Sequence, residues 1–392
     1  MTSNTYRIKD VCSRFSSGKS ISANEIHEDG KYPVFGGNGL RGYTDKYNFD
    51  GECVIIGRQG AYCGNVRYFS GKAYMTEHAI VACATREHDT RFLSYKFALM
   101  DLGRYAGQSA QPGLSVETLS TVEIALPPLN LQKKIAKVLS SIDAKIDNNN
   151  AIAAELEGMA KDLYDYWFVQ FDFPDENGKP YKSSGGKMVW NEELKREIPE
   201  GWEVDRLGKV CDTLLGGTPD TENALYWNGD IPWLNSGEVA TSPVLNAEKT
   251  ITKEGLKNSA TSFASAGAVV MSITRYIRPS ILGIDACFNQ SVIAVIPNEQ
   301  IHSTYLYLFM LSQVERYMRL RTGAQQPHIN KETVDSTLIT LPVDSVLNQF
   351  YDRVEPLFER QMIAMKEAKE LESLRDFLLP MLMNGQVKVK GA

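Results

Sequence analysis

The sequence predicts an α+β chain made of two copies of one unit, each a β-rich globular module followed by a long helix. Three observations carry this. The 392 residues are 43% hydrophobic, which allows two or three domains at roughly 100–200 residues each. A shift of 215 positions lays two long segments over each other without a gap. Two runs of heptad-spaced apolar residues follow the modules, as helices that pack on each other require.

The repeat is the strongest of the three. Under the shift Gln111-Pro112 falls on Gln326-Pro327, Leu114 on Ile329, Glu117-Thr118 on Glu332-Thr333 and Leu126-Pro127 on Leu341-Pro342. Further along, Glu155-Leu156-Glu157 falls on Glu370-Leu371-Glu372 and Leu163 on Leu378. Upstream the likeness is looser. Val54-Ile55-Ile56 resembles Val269-Val270-Met271, Val11-Cys12 resembles Val210-Cys211, and Tyr32-Pro33-Val34-Phe35 resembles Ile231-Pro232-Trp233-Leu234. The period is far too long for a solenoid. Two similar modules in one chain make a pseudo-dimer, suited to a ligand with two sites or to two copies of a partner.

In chain order, residues 1–127 read as the first module, with short β runs such as Glu52–Ile56 separated by turns such as Gly36-Gly37-Asn38-Gly39. A helix is expected near Arg91–Tyr105. Residues 128–170 read as a long helix entered from Leu126-Pro127-Pro128, with a seam of Leu131, Ile135, Val138, Ile142, Ile152, Leu156, Met159, Leu163 and Tyr166, interrupted at Lys145 and Asn149. A polar seam residue such as Asn149 can fix register. Residues 171–200 read as a turn-rich linker, with Ser183-Ser184-Gly185-Gly186 its flexible part. Residues 201–341 repeat the module, with a helix near Thr304–Leu320. Residues 342–384 repeat the long helix, seamed by Val346, Phe350, Leu357, Ala364, Leu371, Leu374, Leu378 and Met381 and interrupted at Arg353, Arg360 and Glu367.

Several function classes fail inspection. No run of about 18 apolar residues spans a membrane, and Met1–Arg14 lacks a signal-peptide pattern, so a cytoplasmic protein is expected. The six cysteines form no Cys-x-x-Cys pair and are expected to be reduced thiols. Gly37-Asn38-Gly39-Leu40-Arg41-Gly42 matches a dinucleotide-binding pattern literally, but turn-like residues follow where a helix should start. Gly18-Lys19-Ser20 lacks the first glycine of a P-loop. Leu126-Pro127-Pro128-Leu129 has leucine where an amino methyltransferase needs a polar residue. The histidines show no paired spacing. No catalytic or metal residue is therefore assigned.

The order of these loose motifs resembles one family. Phe173-Pro174, Lys179-Pro180-Tyr181-Lys182-Ser183-Ser184-Gly185-Gly186 and Ile198-Pro199-Glu200-Gly201-Trp202 resemble the central region of specificity subunits of type I restriction–modification systems. So do Leu126-Pro127-Pro128-Leu129, Gln132 and Ile135, and Gln325-Gln326-Pro327-His328-Ile329-Asn330. The resemblance implies two target recognition domains, each reading half of a bipartite site in double-stranded DNA. It implies two long helices packed as an antiparallel coiled coil about a pseudo-twofold. Two methyltransferase subunits and two motor–nuclease subunits are the implied partners, and they would bind the S-adenosylmethionine, ATP and Mg; no cofactor is expected in this chain.

Base reading needs Arg, Lys, Asn and Gln at groove edges. The candidates are Asn38, Arg41, Arg58, Gln59, Gln108 and Gln111 in the first module, and Arg275, Tyr276, Arg278, Gln325 and Gln326 in the second. Arg58 and Arg275 follow equivalent strands. For each, a structural role in a turn or solvated edge is the competing reading. The net charge of −6 is unusual for DNA binding. Region by region it is +1 over 1–125, −3 over 126–200, −3 over 201–341 and −1 over 342–392. A DNA grip then needs positive charge gathered on one face, or phosphate contacts supplied by partners. Two other readings stay open: an assembly scaffold that pairs partner proteins without reading DNA, and the detached specificity region of a fused restriction–methylation enzyme.

Overall fold

The computed structural model describes residues 4–389 except 61, 108–112, 275, 324 and 326. The first half of the chain runs β1 (Asn4–Arg7), β2 (Cys12–Ser17), β3 (Tyr32–Gly36), β4 (Gly39–Thr44), β5 (Phe49–Gly57), β6 (Val66–Met75), β7 (Ala79–Ala84), α1 (Thr90–Leu99), α2 (Val116–Ser120), β8 (Glu123–Leu126) and α3 (Leu129–Tyr164). The second runs β9 (Met188–Asn191), β10 (Arg196–Pro199), β11 (Glu203–Arg206), α4 (Leu207–Val210), β12 (Thr213–Leu215), β13 (Trp227–Leu234), β14 (Lys249–Ile251), α5 (Lys253–Lys257), β15 (Ser262–Ala264), β16 (Val269–Ser272), β17 (Pro279–Ile281), β18 (Ala286–Phe288), β19 (Val292–Val295), α6 (Ser303–Ser312), α7 (Val314–Leu320), α8 (Lys331–Asp335), β20 (Leu338–Leu341) and α9 (Asp344–Met383). Two compact units result: residues 1–147 with 369–392, and residues 148–368. Among the described residues no helix is long and apolar enough to cross a membrane.

In the first unit six strands form one sheet in the order β2-β7-β5-β6-β3-β4. Strand side chains alternate between faces, and here both faces are covered. Val54, Ile56, Ile80 and Ala82 point into a core shared with α1, α3 and the end of α9. Cys53, Ile55, Ala79 and Val81 point into a second core with Phe35 and Met75. The second unit repeats the pattern with its sheet cut in two, β12-β19-β16-β17 and β14-β13-β18-β15. Val269, Met271, Ile293 and Val295 face one core, and Val270, Val292 and Ala294 face another. The single strand β6 of the first unit corresponds to β17 plus β18, with Gly283–Asp285 outside any strand between them.

The repeat survives in the register. β3 runs parallel to β6 through Val34↔Tyr74, and β13 parallel to β18 through Trp233↔Cys287, so Val34 and Trp233 correspond as their sequences suggest. β1 pairs β8 through Asn4↔Leu126, and β11 pairs β20 through Glu203↔Leu341. Ile8 N–H donates to Val122 O at 2.9 Å, and Leu207 N–H to Thr337 O at 2.8 Å. The six cysteines are free thiols. Burial pushes Cys53 up to about 12, and Cys211 and Cys287 up to about 11, which keeps all three protonated.

The long helices pack antiparallel. In the first unit Arg375 on α9 donates to Asp143 on α3 at 3.2 Å. In the second, Asn149 donates to Glu367 at 2.8 Å and Gln361 to Glu157 at 3.3 Å. Partner numbers fall on α9 as they rise on α3. One of the two heptad lines expected on α3 is, however, displaced by one residue, while the other stays in phase at Ile135 and Asn149. The buried line is Gln132, Leu139, Ile146, Ala153 and Ala160, at strict sevens, with Ile135 and Asn149 between. Ile152, Met159 and Tyr166, expected in the seam, are 36%, 52% and 38% exposed. Lys145 is exposed and interrupts nothing. On α9 the line is Leu347, Val354, Gln361 and Ala368, again at sevens, so Arg353 and Arg360 lie outside it on exposed positions. Leu374, also expected inside, is exposed. Asn149 is buried in the seam as a polar register residue.

The segment 171–200, read as a linker with a flexible centre, is instead folded into the second unit. A π-helical turn, Asp165–Val169, ends the long helix. Phe171, Phe173, Ile198 and Trp202 enter the core, with Phe173 stacked on Trp202 at 5.2 Å. Asp172 accepts from Ser183 N–H at 2.7 Å and from its hydroxyl at 2.6 Å, fixing the Ser-Ser-Gly-Gly turn. β9 and β10 form a hairpin. Aromatic residues dotted through a polar run can each fill a core pocket, which polar composition hides.

The seam phase is testable. Ile146→Ala should cost about 2–5 kcal/mol by leaving a cavity, and Ile152→Ala less than about 1 kcal/mol. Equal losses in urea unfolding would put the seam back through Ile152.

Candidate nucleic-acid interface

The described candidate residues of the first module, Asn38, Arg41, Arg58 and Gln59, gather around two glycine turns. β3 and β4 form a hairpin whose turn carries Asn38, exposed, followed by Gly39 at φ 96°. The literal G-x-G-x-x-G match is therefore a strand–turn–strand. Arg41 is exposed on β4, with its methylenes over Gly36; a Cβ there would lie 2.6 Å from Arg41 Cδ. The end of β5 closes on the hairpin turn: a Cβ on Gly57 would lie 2.3 Å from Gly37 O, and one on Gly37 would lie 3.1 Å from Gln59 O. Only glycines permit this approach. It places Asn38, Arg41 and Gln59 in one loop cluster.

Arg58 is spent on the fold. Its guanidinium donates to Leu114 O and Ser17 Oγ at 3.3 Å and to Glu77 O at 3.4 Å. It ties three chain segments together beneath the turns. The Gln59 side-chain oxygen meets His78 Nδ1 at 2.7 Å, and His78 Nε2 lies 3.3 Å from Glu77. Beside the hairpin a cavity of about 600 Å³ is walled by Asn38, Gly57, Tyr62, Asn65, Arg67 and Asp101. Arg67 and Tyr62 are exposed. Sequence reasoning passed over Arg67, Asn65 and His78; the signal was Gly57 and Gly64, which let these chain segments crowd together.

In the second module Tyr276 is 67% exposed and Arg278 is exposed, on either side of the buried Ile277. Gln325 is exposed. Gln108, Gln111, Arg275 and Gln326 lie outside the described residues. The described ends of the 107–113 and 322–328 loops are closed in the same way. Gly107 bridges Gly113, and Gly113 bridges Gln59. At a distance of 215 residues, Thr322 bridges His328, and His328 bridges Thr274. Leu114 N–H donates to Arg58 O at 2.8 Å and Ile329 N–H to Ile273 O at 3.0 Å. This register sets Ile273 at the place of Arg58 and Thr274 at the place of Gln59. The two modules thus share a frame and present different side chains from it. Among the described residues no cluster of three or more His, Cys, Asp or Glu could hold a metal ion.

This duplicated frame is that of a known family. The chain matches the family described as "Type I restriction modification DNA specificity domain" over residues 2–158 and 199–373. The chain belongs to this family. A type I restriction enzyme specificity subunit of Methanocaldococcus jannaschii is 26% identical over 310 residues, covering 77% of this chain and 70% of that protein. The EcoprrI specificity subunit of Escherichia coli is 40% identical over 134 residues, a third of each chain. A type I restriction–modification S subunit from M. genitalium has the same fold, with a TM-score of 0.64 at 18% identity over 97% of this chain and 96% of that one.

Arg58→Ala should cost about 1–2 kcal/mol, because carbonyl acceptors lose their donor, whereas Arg41→Ala should stay within about 0.5 kcal/mol. Urea midpoints at constant slope would show it. A larger loss at Arg41 would make that residue the structural one.

Proposed function

We propose that this chain is the sequence-reading, non-catalytic subunit of a cytoplasmic type I restriction–modification complex, each module contacting one half of a bipartite target in double-stranded DNA. The observation that carries this is the repeated frame. The 107–113 and 322–328 loops close on their sheets through bridges 215 residues apart, yet Gln59 is replaced by Thr274 and the β3–β4 turn by the longer 235–248 excursion. One scaffold with two faces suits two different half-sites. Asn38, Arg41, Gln59 and Arg67 are the first module's candidate contacts, and Tyr276, Arg278 and Gln325 the second's, with Gln108, Gln111, Arg275 and Gln326 as further candidates from the sequence. Arg58 acts by holding its loops in place.

In this reading two methyltransferase subunits and two motor–nuclease subunits assemble on the chain. They bring S-adenosylmethionine, ATP and Mg, and the methylation and cleavage chemistry. Their phosphate contacts compensate for a net charge of −6.

The purified chain should show no methylation, nuclease or ATPase activity, and adding the methyltransferase subunit of the same system should give adenine methylation at a two-part motif. Activity from the chain alone, or partner assembly without sequence preference, would overturn the assignment.

The long helices supply a second prediction. Seven residues inserted after Asn149 keep the seam phase and lengthen α3 by about 10.5 Å. At about 3.4 Å per base pair, the unread gap should widen by at most about three pairs while both half-sites persist. Replacing residues 1–125 by another module should change one half-site and keep the gap. Methylation-sensitive sequencing of each variant reads both outcomes, and a rewritten half-site in the insertion variant would refute the division of labour.

A further inference from the structure

Each unit contains a cleft between a strand of its sheet, the first helix after the sheet, and a long helix. Three wall positions correspond. Val54 pairs Tyr68 in the β5–β6 ladder, and Val269 pairs Ile281 in β16–β17, so Tyr68 and Ile281 share a place. α1 follows its N-cap Asp89 and α6 follows its N-cap His302, so Arg91 and Thr304 are each second in their helices. The 215-residue shift sets Asp143 on Phe358.

The contents differ. In the first unit the Arg91 guanidinium lies 3.7 Å from the Tyr68 ring centroid. Asp143 accepts from the Tyr95 hydroxyl and from Arg375, which also meets Asp376 at 2.9 Å. These side chains leave about 300 Å³. In the second unit the cleft is open, at about 700 Å³. Its walls include Pro243, Ile281, Phe358, Met362 and Ile363, with Ile363 66% exposed. Thr304 is only 7% exposed, and its hydroxyl has no hydrogen-bond partner. Buried hydroxyls are nearly always paired, so this one marks a polar group that the chain does not supply. Glu359 on the rim is exposed, and Glu355, beside it, holds His302 Nδ1 at 2.7 Å. An apolar wall with an acidic rim complements an apolar side chain followed by a basic one.

We infer that the second unit's cleft seats such a segment of the methyltransferase subunit, and that the filled cleft of the first unit holds a second copy more weakly. The two copies then load in order, the second unit first. The inference rests on the partner reading above. It goes further in making two partner sites of one pseudo-repeat unequal and in naming the side chains responsible: Ile281, Phe358, Met362 and Ile363 for the anchor, Thr304 for the hydrogen bond, Glu359 for the charge.

The test is a calorimetric titration of the full chain with the methyltransferase subunit of the same system, with native mass spectrometry counting bound copies. Two steps at least about tenfold apart are expected, about 1.4 kcal/mol. Ile363→Arg should weaken the tight step at least about tenfold and leave the melting temperature unchanged, since that side chain is exposed. Thr304→Val should weaken it less. Glu359→Lys should weaken it most at low salt. Asp376→Ala, on the first cleft, should leave the tight step alone. Equal steps in the unaltered chain, or a tight step indifferent to Ile363→Arg, would overturn the inference while leaving the partner reading intact. No binding by the unaltered chain would overturn the partner reading itself, and the cleft with it.

Discussion

Everything in the two units hangs on the pairing of α3 with α9 along a seam that mixes aliphatic with small and polar residues. Ala153 and Ala160 on α3 and Ala368 on α9 are buried where a coiled coil ordinarily places leucine. Asn149, also buried, gives its amide to Glu367. A slip by one turn would strand that amide, at a cost of about 1–3 kcal/mol. The same helix faces carry the attachment points of the modules. Asp143 takes the Tyr95 hydroxyl in the first unit, and Glu157 takes the Tyr307 hydroxyl in the second. Helix phase therefore also determines where sheet and helix meet.

Small residues at the seam explain why its phase was misread. Ile152, Met159 and Tyr166 form a visible heptad line, while the buried line passes through alanine and asparagine. Hydrophobicity marks which residues prefer burial; close packing selects those that fit. The aromatic segment from Phe171 to Trp202 hid its fold for a related reason. Its buried rings are separated by Asp, Gly, Ser and Lys, so no periodicity shows, and its turns depend on the Asp172 carboxylate accepting from the Ser183 N–H and hydroxyl across eleven residues. The repeat was legible because identities at Gln111, Glu117 and Leu126 recur at one spacing, and the loop bridges keep that spacing in space.

The candidate interface was legible only in part, since a side chain's type does not report its neighbours. Asn38 and Arg41 stand where a glycine turn suggested. Arg58, on equally suggestive ground, is consumed by Leu114, Ser17 and Glu77. Its counterpart in register is Ile273, which needs no such clamp because it is buried by its own apolar surface. The modules reach one frame by different interactions, which leaves their outward surfaces free to diverge.

The composition of the first unit bears on synthesis. Its core is walled in part by Leu378, Leu379, Leu382 and Met383, from the last stretch of the chain, while residues 148–368 belong to the other unit. At ~5–20 residues per second, more than ten seconds separate the first sheet from the helix end that covers it. Through that interval Ile8, Ile135 and Leu139 lack the part of their apolar cover that the end of α9 supplies.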